Sequence, residues 1–353
     1  MAAVDKLLTY LRDQGGSDMH LVAGMPPRVR VRGGLVPISG MAGLSNKQVR
    51  GLIREIVNDT HWEAYNEELE LDFAYSLAGV ARFRGNAFNQ SSGAAVVFRI
   101  IPDKILSIEE LKMPPVVERL AHTPSGLILV TGPTGSGKST TLAAIIDAIN
   151  NTYQRHILTL EDPIEFVHPP KRSMISQREV LDHTASFASA LRAAMRQNPD
   201  VILVGELRGP EIELAIAAAE MGMLVFGTLH TNSASKAIDR LIDAVPPAAQ
   251  EQVRIGLSEA LAGIVAQLLL KTADGQGRVA AVEVLLKTSG LPNIIREANT
   301  SQIVSTIQGG KAQGMQLMDD HLMELRHKGI ITPHDAYMNA ADKMRFEEQE
   351  GEA

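Results

Sequence analysis

The sequence predicts an α/β protein in which a smaller α+β domain precedes a larger domain built on a parallel sheet. Three observations carry this prediction. From Gly126 onward, short runs that are apolar throughout alternate with helical segments, as expected for parallel strands buried on both faces. Before residue 102, strand-like runs are short and are separated by glycine and proline. A length of 353 residues suggests two or three domains rather than a single core.

Residues 1–101 are predicted to form the α+β domain. Leu7, Leu8 and Leu11 recur at helical spacing, which predicts a first helix at Val4–Leu11. The other elements predicted in this domain are a helix at Asn46–Val57 and strands at His20–Val22, Arg28–Val31, Leu71–Tyr75, Ala81–Asn89 and Ala94–Ile101.

Residues 102–115 contain three prolines and no periodic segment, which predicts an interdomain linker. Residues 116–353 are predicted to form the α/β domain. This domain becomes mostly helical after about Ser233, with one strand at Val279–Leu286 and a helical C-terminal region at about 290–340. Its earlier elements are predicted as strands at Leu127–Val130, His156–Leu160, Val201–Val204 and Leu224–Thr228, and helices at Thr140–Ile149, Phe187–Met195 and Glu211–Met221.

The composition excludes several classes of protein. A formal net charge of −7 argues against bulk nucleic-acid binding. The absence of cysteine excludes disulfides and thiolate metal sites, and it is compatible with the cytoplasm. No apolar run reaches the roughly 18–20 residues that span a bilayer; the longest candidate, Leu257–Leu270, is interrupted by Glu259 and Gln267. We therefore expect a cytoplasmic protein with no signal peptide and no direct membrane insertion.

A glycine-rich motif follows the first predicted strand of the larger domain. Residues 132–139 match the pattern G-x-x-x-x-G-K-[ST] at every fixed position. The motif opens a helix, so its backbone N–H groups and the helix dipole are expected to bind phosphate. Lys138 should reach the β- and γ-phosphates of ATP, and the Ser139 hydroxyl should ligate Mg²⁺. The alternative is a glycine-rich turn that binds nothing. The predicted nucleotide-binding residues are Gly132, Pro133, Thr134, Gly135, Ser136, Gly137, Lys138, Ser139 and Thr140.

Acidic residues end two further predicted strands. Glu206 closes the apolar strand Val201–Val204 and suits the acid that holds Mg²⁺ beside a phosphate-binding loop. Glu161, Asp162 and Glu165 follow another apolar strand, and such a cluster is costly unless a cation lies nearby. The alternatives are a solvated strand-end acid for Glu206 and a simple turn at Asp162.

Three arginines and one histidine complete the candidates. Arg82 and Arg84 lie on one face of a predicted strand, and Arg99 lies in the next strand. They are either ordinary solvated side chains or arginine fingers that reach the γ-phosphate held by a neighbouring subunit. His230 ends a third core strand, where it is either structural or a sensor of the γ-phosphate.

Several motifs now stand in a fixed order along the chain. Together they resemble the secretion-ATPase superfamily of type II secretion and type IV pilus motors, and they are similar to its retraction (PilT-type) branch. The resemblance covers nearly the whole chain, from about Val4 to about Pro333. The motifs are Gly16–Leu21, Arg82–Asn86, Val130–Thr140, Thr159–Glu165, Val204–Arg208 and Gly227–Ser233.

The resemblance implies a PAS-like N-terminal domain, a flexible linker and a RecA-like ATPase domain, assembled as a homohexameric ring. It implies that Glu165 is the general base, that Glu206 is the Walker B acid and Mg²⁺ ligand, and that His230 belongs to the His box. Arg84 and Arg99 are implied to close the active site of the next subunit. The implied partner is an inner-membrane pilus platform protein, through which the motor would sit peripherally at the membrane and remove pilin subunits.

The absence of cysteine favours the retraction branch, because the extension and secretion motors of this superfamily carry a four-cysteine zinc site. Three positions depart from the family pattern: Pro292 replaces an arginine in the C-terminal motif Gly290–Glu297, Gly209 replaces an aspartate, and Met221–Met223 replaces Thr-Gly-His. Two alternatives therefore remain beside a retraction motor. One is an accessory or paralogous motor, and the other is an ATP-binding regulator with little turnover.

Overall fold

The computed structural model describes residues 2–31, 33–101 and 104–347. These residues cluster into two compact units. The first unit contains the described chain up to Lys104 together with Glu161–Val167 and Arg178–Ser186. The second unit contains the remainder, so the chain enters and leaves the first unit more than once.

The first unit is built on a sheet that has six strands in the described chain and pairs antiparallel throughout. Its strands are β1 (Asp18–Val22), β2 (Arg28–Val31), β3 (Gly34–Pro37), β4 (Glu70–Leu77), β5 (Ala81–Gln90) and β6 (Gly93–Ile101), and its helices are α1 (Ala3–Asp13), α2 (Asn46–Arg54) and α3 (Asp59–Glu68). The spatial order is β3-β2-β1-β6-β5-β4. The strands β1, β2, β4, β5 and β6 and the helices α1 and α2 were predicted, whereas α3 and β3 were missed.

Period-two burial along β5 determines which side chains of this sheet are accessible. Phe83, Gly85 and Ala87 are buried, while Arg82 and Arg84 between them are half-buried. At Gly85 a Cβ atom would lie 2.4 Å from the Phe73 ring, so glycine is required for β5 to pack there. The alternation therefore turns the arginines of this strand away from the aromatic core.

The second unit is built on a sheet with seven strands among the described residues. The strands are β7 (Gly126–Thr131), β8 (His156–Glu161), β9 (Met174–Glu179), β10 (Val201–Val204), β11 (Leu224–Leu229), β12 (Leu261–Lys271) and β13 (Arg278–Leu286). The order is β13-β12-β7-β11-β10-β8-β9, and β12, β7, β11, β10 and β8 pair in parallel. Residues on β7, β10 and β11 are buried throughout, as their continuous apolar sequence predicted.

Helices cover this sheet and continue to the C-terminal end of the described chain. They are α4 (Pro115–Ala121), α5 (Lys138–Thr152), α6 (Phe187–Ala194), α7 (Gly209–Glu220), α8 (Ala234–Asp243), α9 (Pro247–Ala260), α10 (Leu291–Arg296), α11 (Ile303–Gly309), α12 (Met318–His327), α13 (Pro333–Asn339) and α14 (Met344–Glu347). The predicted α/β fold class and the helical C-terminal region are confirmed.

One element differs from the expectation that the chain after Ser233 is helical apart from one strand. The helix α9 ends at Ala260, and β12 begins directly at Leu261. The new strand pairs in parallel with β7 and antiparallel with β13. Local propensity did not predict it because leucine and alanine favour helices, and burial between two strands overrides that preference.

The contact units differ from the predicted domain boundaries at two places. Within the predicted linker, 102–115, the side chains of Ile108 and Met113 are buried in the core of the second unit. The segments Glu161–Val167 and Arg178–Ser186 cluster with the first unit, although their sequence position falls inside the predicted ATPase domain. No helix within the described ranges is long and apolar enough to cross a membrane.

Candidate nucleotide-binding site

The glycine-rich motif forms the turn between β7 and the N-terminus of α5. The strand ends at Thr131 and the helix begins at Lys138. Gly135 and Gly137 adopt positive φ angles of 79° and 87°, which favour glycine. The predicted strand–loop–helix context of a phosphate-binding loop is therefore present in the structure.

A buried glutamine holds this loop from the neighbouring strand β12. The Nε2 atom of Gln267 donates to the Ser136 carbonyl oxygen at 2.6 Å, and its Oε1 accepts from the Thr141 hydroxyl at 2.8 Å. A Cβ atom at Gly132 would lie 2.3 Å from the Gln267 carbonyl oxygen, and one at Gly137 would lie 2.9 Å from Nε2. Gln267 therefore explains why two of the loop residues must be glycine. This role of Gln267 was not predicted from the sequence, because β12 was not predicted.

The exposed rim of the loop fits a phosphate group. Thr134, Gly135 and Ser139 are exposed, and nothing lies within 4 Å of a Cβ built at Gly135. The Lys138 ammonium donates to the carbonyl oxygens of Gly132 at 2.8 Å and Pro133 at 3.2 Å, so it lies folded against the loop. Loop amides, a helix N-terminus and a lysine at this position are the groups that bind nucleotide phosphates.

Glu206 and His230 meet at the end of neighbouring strands. Oε1 of Glu206 lies 3.3 Å from Nε2 of His230, and Oε2 accepts a 2.6 Å hydrogen bond from Arg208. Partial burial pushes the pKa of Glu206 upward, but the hydrogen bond and the charge of Arg208 outweigh it, so this pKa lies below its ordinary value. The charges of His230 and Lys138 act in the same direction. Glu206 is therefore ionised at neutral pH.

The strand order explains why these groups converge. The P-loop follows β7, His230 follows β11 and Glu206 follows β10, and these three strands are adjacent and parallel. Their carboxyl ends consequently meet at one edge of the sheet, where open α/β sheets bind ligands. A cavity of about 560 Å³ lies at this edge beside Glu206 and His230. Its other lining residues include Arg208, Gly209, Thr231 and Arg240.

The remaining predicted site residues belong to the first unit. Arg84 of β5 and Arg99 of β6 are directly opposed in the strand register. Nη1 of Arg84 lies 3.5 Å from Oε1 of Glu165, and Nε of Arg99 donates to Asp18 at 2.9 Å. The unit thus brings Glu165 and Arg84 together, and it places Arg99 opposite Arg84 on the sheet.

Two departures from the family pattern have visible structural settings. Pro292 lies in the first turn of α10. Backbone N–H groups in a first turn have no acceptor within the helix, so proline, which lacks an N–H, costs no helical hydrogen bond there. Downstream in the same motif, Arg296 pairs with Glu259 of α9 at 2.7 Å. Gly209 adopts a φ of 31° at the start of α7, a conformation that aspartate adopts less readily than glycine.

The fold and this site define a P-loop nucleotide-binding protein of the α/β class. The family model for type II/IV secretion system proteins matches residues 49–349. The chain therefore belongs to that family of secretion ATPases, and the predicted resemblance is confirmed.

Individual relatives refine this placement. The type IV pilus retractation ATPase PilT of Pseudomonas aeruginosa is 51% identical over 334 residues, which are 94% of this chain and 96% of that protein. The type IV pilus ATPase PilU of the same organism is 40% identical over 337 residues, 95% of this chain and 88% of that protein. A crystal structure of the pilus retraction motor PilT with bound ADP matches with a TM-score of 0.88 at 42% identity, over 98% of both chains.

Proposed function

We propose that this chain is an ATP-driven motor that retracts type IV pili by removing pilin subunits, and that it thereby supports twitching motility. The observation that carries the proposal is the convergence of Lys138, Glu206 and His230 at one sheet edge. It occurs in a chain that is 51% identical to a pilus retractation ATPase over nearly its whole length.

The P-loop and Glu206 provide the binding groups for ATP and Mg²⁺. The loop amides and Lys138 would hold the β- and γ-phosphates. The exposed Ser139 hydroxyl and the ionised Glu206 carboxylate are oxygen ligands of the kind Mg²⁺ prefers. The bound cation would neutralise charge on the phosphate oxygens.

Glu165 is the proposed general base. It accepts a proton from the attacking water while the water oxygen bonds to the γ-phosphorus. The bond from that phosphorus to the bridging oxygen breaks, which leaves ADP and inorganic phosphate. The side chain of Glu165 is 34% exposed, so its carboxylate is accessible to water. His230, which contacts Glu206, is the proposed sensor of the γ-phosphate.

Arg84 and Arg99 are the proposed groups that act between subunits. Their side chains are 41% and 73% exposed, so both are accessible to a group of another subunit. In a homohexameric ring each would supply positive charge to the γ-phosphate held by the next subunit. The RecA-like core and the PAS-like domain belong to the same proposal.

The proposed partner outside the ring is the inner-membrane platform protein of the pilus. The motor would work in the cytoplasm and reach the membrane through that partner. ATP-driven changes in the ring would turn the platform protein and release pilin subunits. Nucleic acid is not a partner in this proposal, in keeping with the acidic net charge of −7.

An accessory or paralogous pilus motor is the second candidate function. Pro292 and Gly209 favour it, because both depart from the retraction pattern at motif positions. The identity to PilT, 51%, exceeds the identity to PilU, 40%, and supports the retraction motor instead.

Counting surface pili and measuring twitching in a deletion strain tests the proposal. The strain is complemented with wild type, with Glu206→Ala or with the control Glu213→Ala, whose side chain is exposed on α7. A retraction motor is supported if the deletion strain has excess pili and no twitching, and if wild type and the control restore both properties while Glu206→Ala does not. A strain without pili would indicate an extension motor. Unchanged pili would indicate the accessory role or a regulator, and a purified regulator would bind ATP without steady-state turnover.

A further inference from the structure

An ion pair in the first unit is largely withdrawn from water. Nη2 of Arg82, on β5, lies 3.1 Å from Oε2 of Glu179, and their side chains are 19% and 4% exposed. The Arg82 guanidinium also donates to the Ser76 hydroxyl on β4 at 2.9 Å, which ties it to the sheet. The Glu179 backbone N–H donates to Nδ1 of His183 at 3.0 Å. The Arg82 side chain and the Glu179 backbone are therefore each held by a neighbouring side chain.

The pair holds both backbone polar groups of a single residue. Nε of Arg82 donates to the Ile164 carbonyl oxygen at 3.0 Å, and the Ile164 N–H donates to Oε2 of Glu179 at 3.0 Å. Ile164 is itself buried and directly precedes Glu165. Charge-assisted hydrogen bonds to the N–H and to the carbonyl oxygen of Ile164 restrict the two peptide units that flank this residue.

Stability alone does not account for this arrangement. A buried ion pair costs desolvation, and replacing both partners by apolar residues of similar size is often neutral or stabilising. Burial indeed opposes the charge of Glu179: it raises the pKa of that carboxyl, against the hydrogen bond from Ile164 and the charge of Arg82. Directed hydrogen bonds, by contrast, fix geometry, which apolar contacts do not.

Arg84, two residues along the same strand, has a different environment. Its contact with Glu165 is 3.5 Å long, and its side chain is 41% exposed. The two arginines of the motif Arg82–Asn86 therefore make different contacts. Arg82 holds the backbone before Glu165, and Arg84 meets the carboxylate itself.

We propose that Arg82 and Glu179 are positioning residues that place Glu165 for proton abstraction by clamping Ile164. The inference rests on the proposed role of Glu165 as the general base. Displacement of a reacting group by about 1 Å can cost on the order of 10²-fold in rate. Loss of the clamp should therefore lower kcat at least about tenfold and leave nucleotide affinity within about twofold, because the phosphate-binding groups are untouched.

The test compares an apolar replacement of the clamp with a matched exposed pair. Arg82→Met/Glu179→Leu removes the buried pair, and Arg54→Met/Asp59→Leu removes an exposed ion pair from the same unit. For each variant, kcat, the Kd of ADP and the thermal unfolding midpoint are measured. We expect the clamp variant to fold, bind ADP normally and lose turnover, while the control keeps wild-type turnover. A folded clamp variant with wild-type kcat would overturn the inference.

Two further variants keep the result decisive. If the double replacement does not fold, Arg82→Lys replaces it: lysine keeps the charge but cannot donate in two fixed directions. Its kcat should fall while its Kd for ADP stays unchanged, and an unchanged kcat would contradict the clamp. Glu165→Gln is measured in parallel. Wild-type turnover in Glu165→Gln would refute the proposed base, whereas an inactive Glu165→Gln beside an active clamp variant would refute only the positioning role.

Discussion

The guanidinium of Arg84 and the carboxylate of Glu165 lie 3.5 Å apart within one unit of the chain. Both side chains are more than a third exposed, so water screens the pair and its contribution to stability is small. The Arg84 side chain is therefore only weakly held by this contact. The contact pairs a proposed base with a proposed arginine finger of the same unit.

Arg84→Ala should leave nucleotide binding near normal and lower turnover by about 10³-fold, because an arginine finger acts mainly on transition-state charge. Steady-state ATPase rates and ADP binding measure the two effects. Mixing Arg84→Ala protein with Glu165→Ala protein should restore part of the activity, since some interfaces in a mixed ring would carry both intact residues. Mixtures that stay inactive would count against sites shared between subunits.

Lys138→Ala should abolish hydrolysis by weakening phosphate binding. We expect the Kd of ADP to rise by about 10²-fold or more, as removal of a charge-assisted contact costs on the order of 2–3 kcal/mol. Lys236→Ala, an exposed lysine of α8, is the matched control and should behave as wild type. Normal ATPase activity in the Lys138 variant would exclude the P-loop assignment.

Gln267→Leu should loosen the phosphate-binding loop from the side of β12. The change removes the partners of the Ser136 carbonyl and the Thr141 hydroxyl, and each unsatisfied buried group costs roughly 1–3 kcal/mol. Thermal unfolding should therefore occur at a lower temperature, and ADP should bind roughly tenfold more weakly. Calorimetry measures both quantities, with Gln276→Leu on an exposed turn as the control. Unchanged ADP affinity would mean that the loop keeps its shape without the glutamine.

His168 should make stability depend on pH. Burial lowers the pKa of His168 from its ordinary 6.5 to about 4 in the folded protein, and its buried Nδ1 has no hydrogen-bond partner within the described chain. Below about pH 6.5 the His168 ring binds a proton in the unfolded chain but not in the folded chain. The free energy of unfolding therefore decreases as the pH falls from about 6.5 toward 4.

Between about pH 7.5 and about pH 5, wild type should therefore lose about 2 kcal/mol more unfolding free energy than His168→Gln. Urea unfolding at the two pH values measures the difference. His334→Gln, an exposed histidine of α13, should keep the wild-type dependence. Equal losses in wild type and His168→Gln would show that the ring is already accessible to protons in the folded protein.

Local sequence was sufficient for the elements that carry the phosphate-binding site. The P-loop spacing, the apolar strands before Glu206 and His230, and the alternation along β5 are each readable within about ten residues. Because these strands are adjacent and parallel, their carboxyl ends lie at the same edge of the sheet. The sequence by itself thus determined the fold class, the nucleotide-binding loop and the family.

The tertiary structure decided which distant residues support those motifs. Gln267 bonds a loop residue 131 positions earlier, and Arg82 bonds partners 82 and 97 positions later. Helical and strand periodicity describes neighbours along the chain, so it contains no information about pairs this far apart. For the same reason β12 could not be predicted from local sequence. Its leucines and alanines form a strand because burial between β7 and β13 outweighs their helical preference.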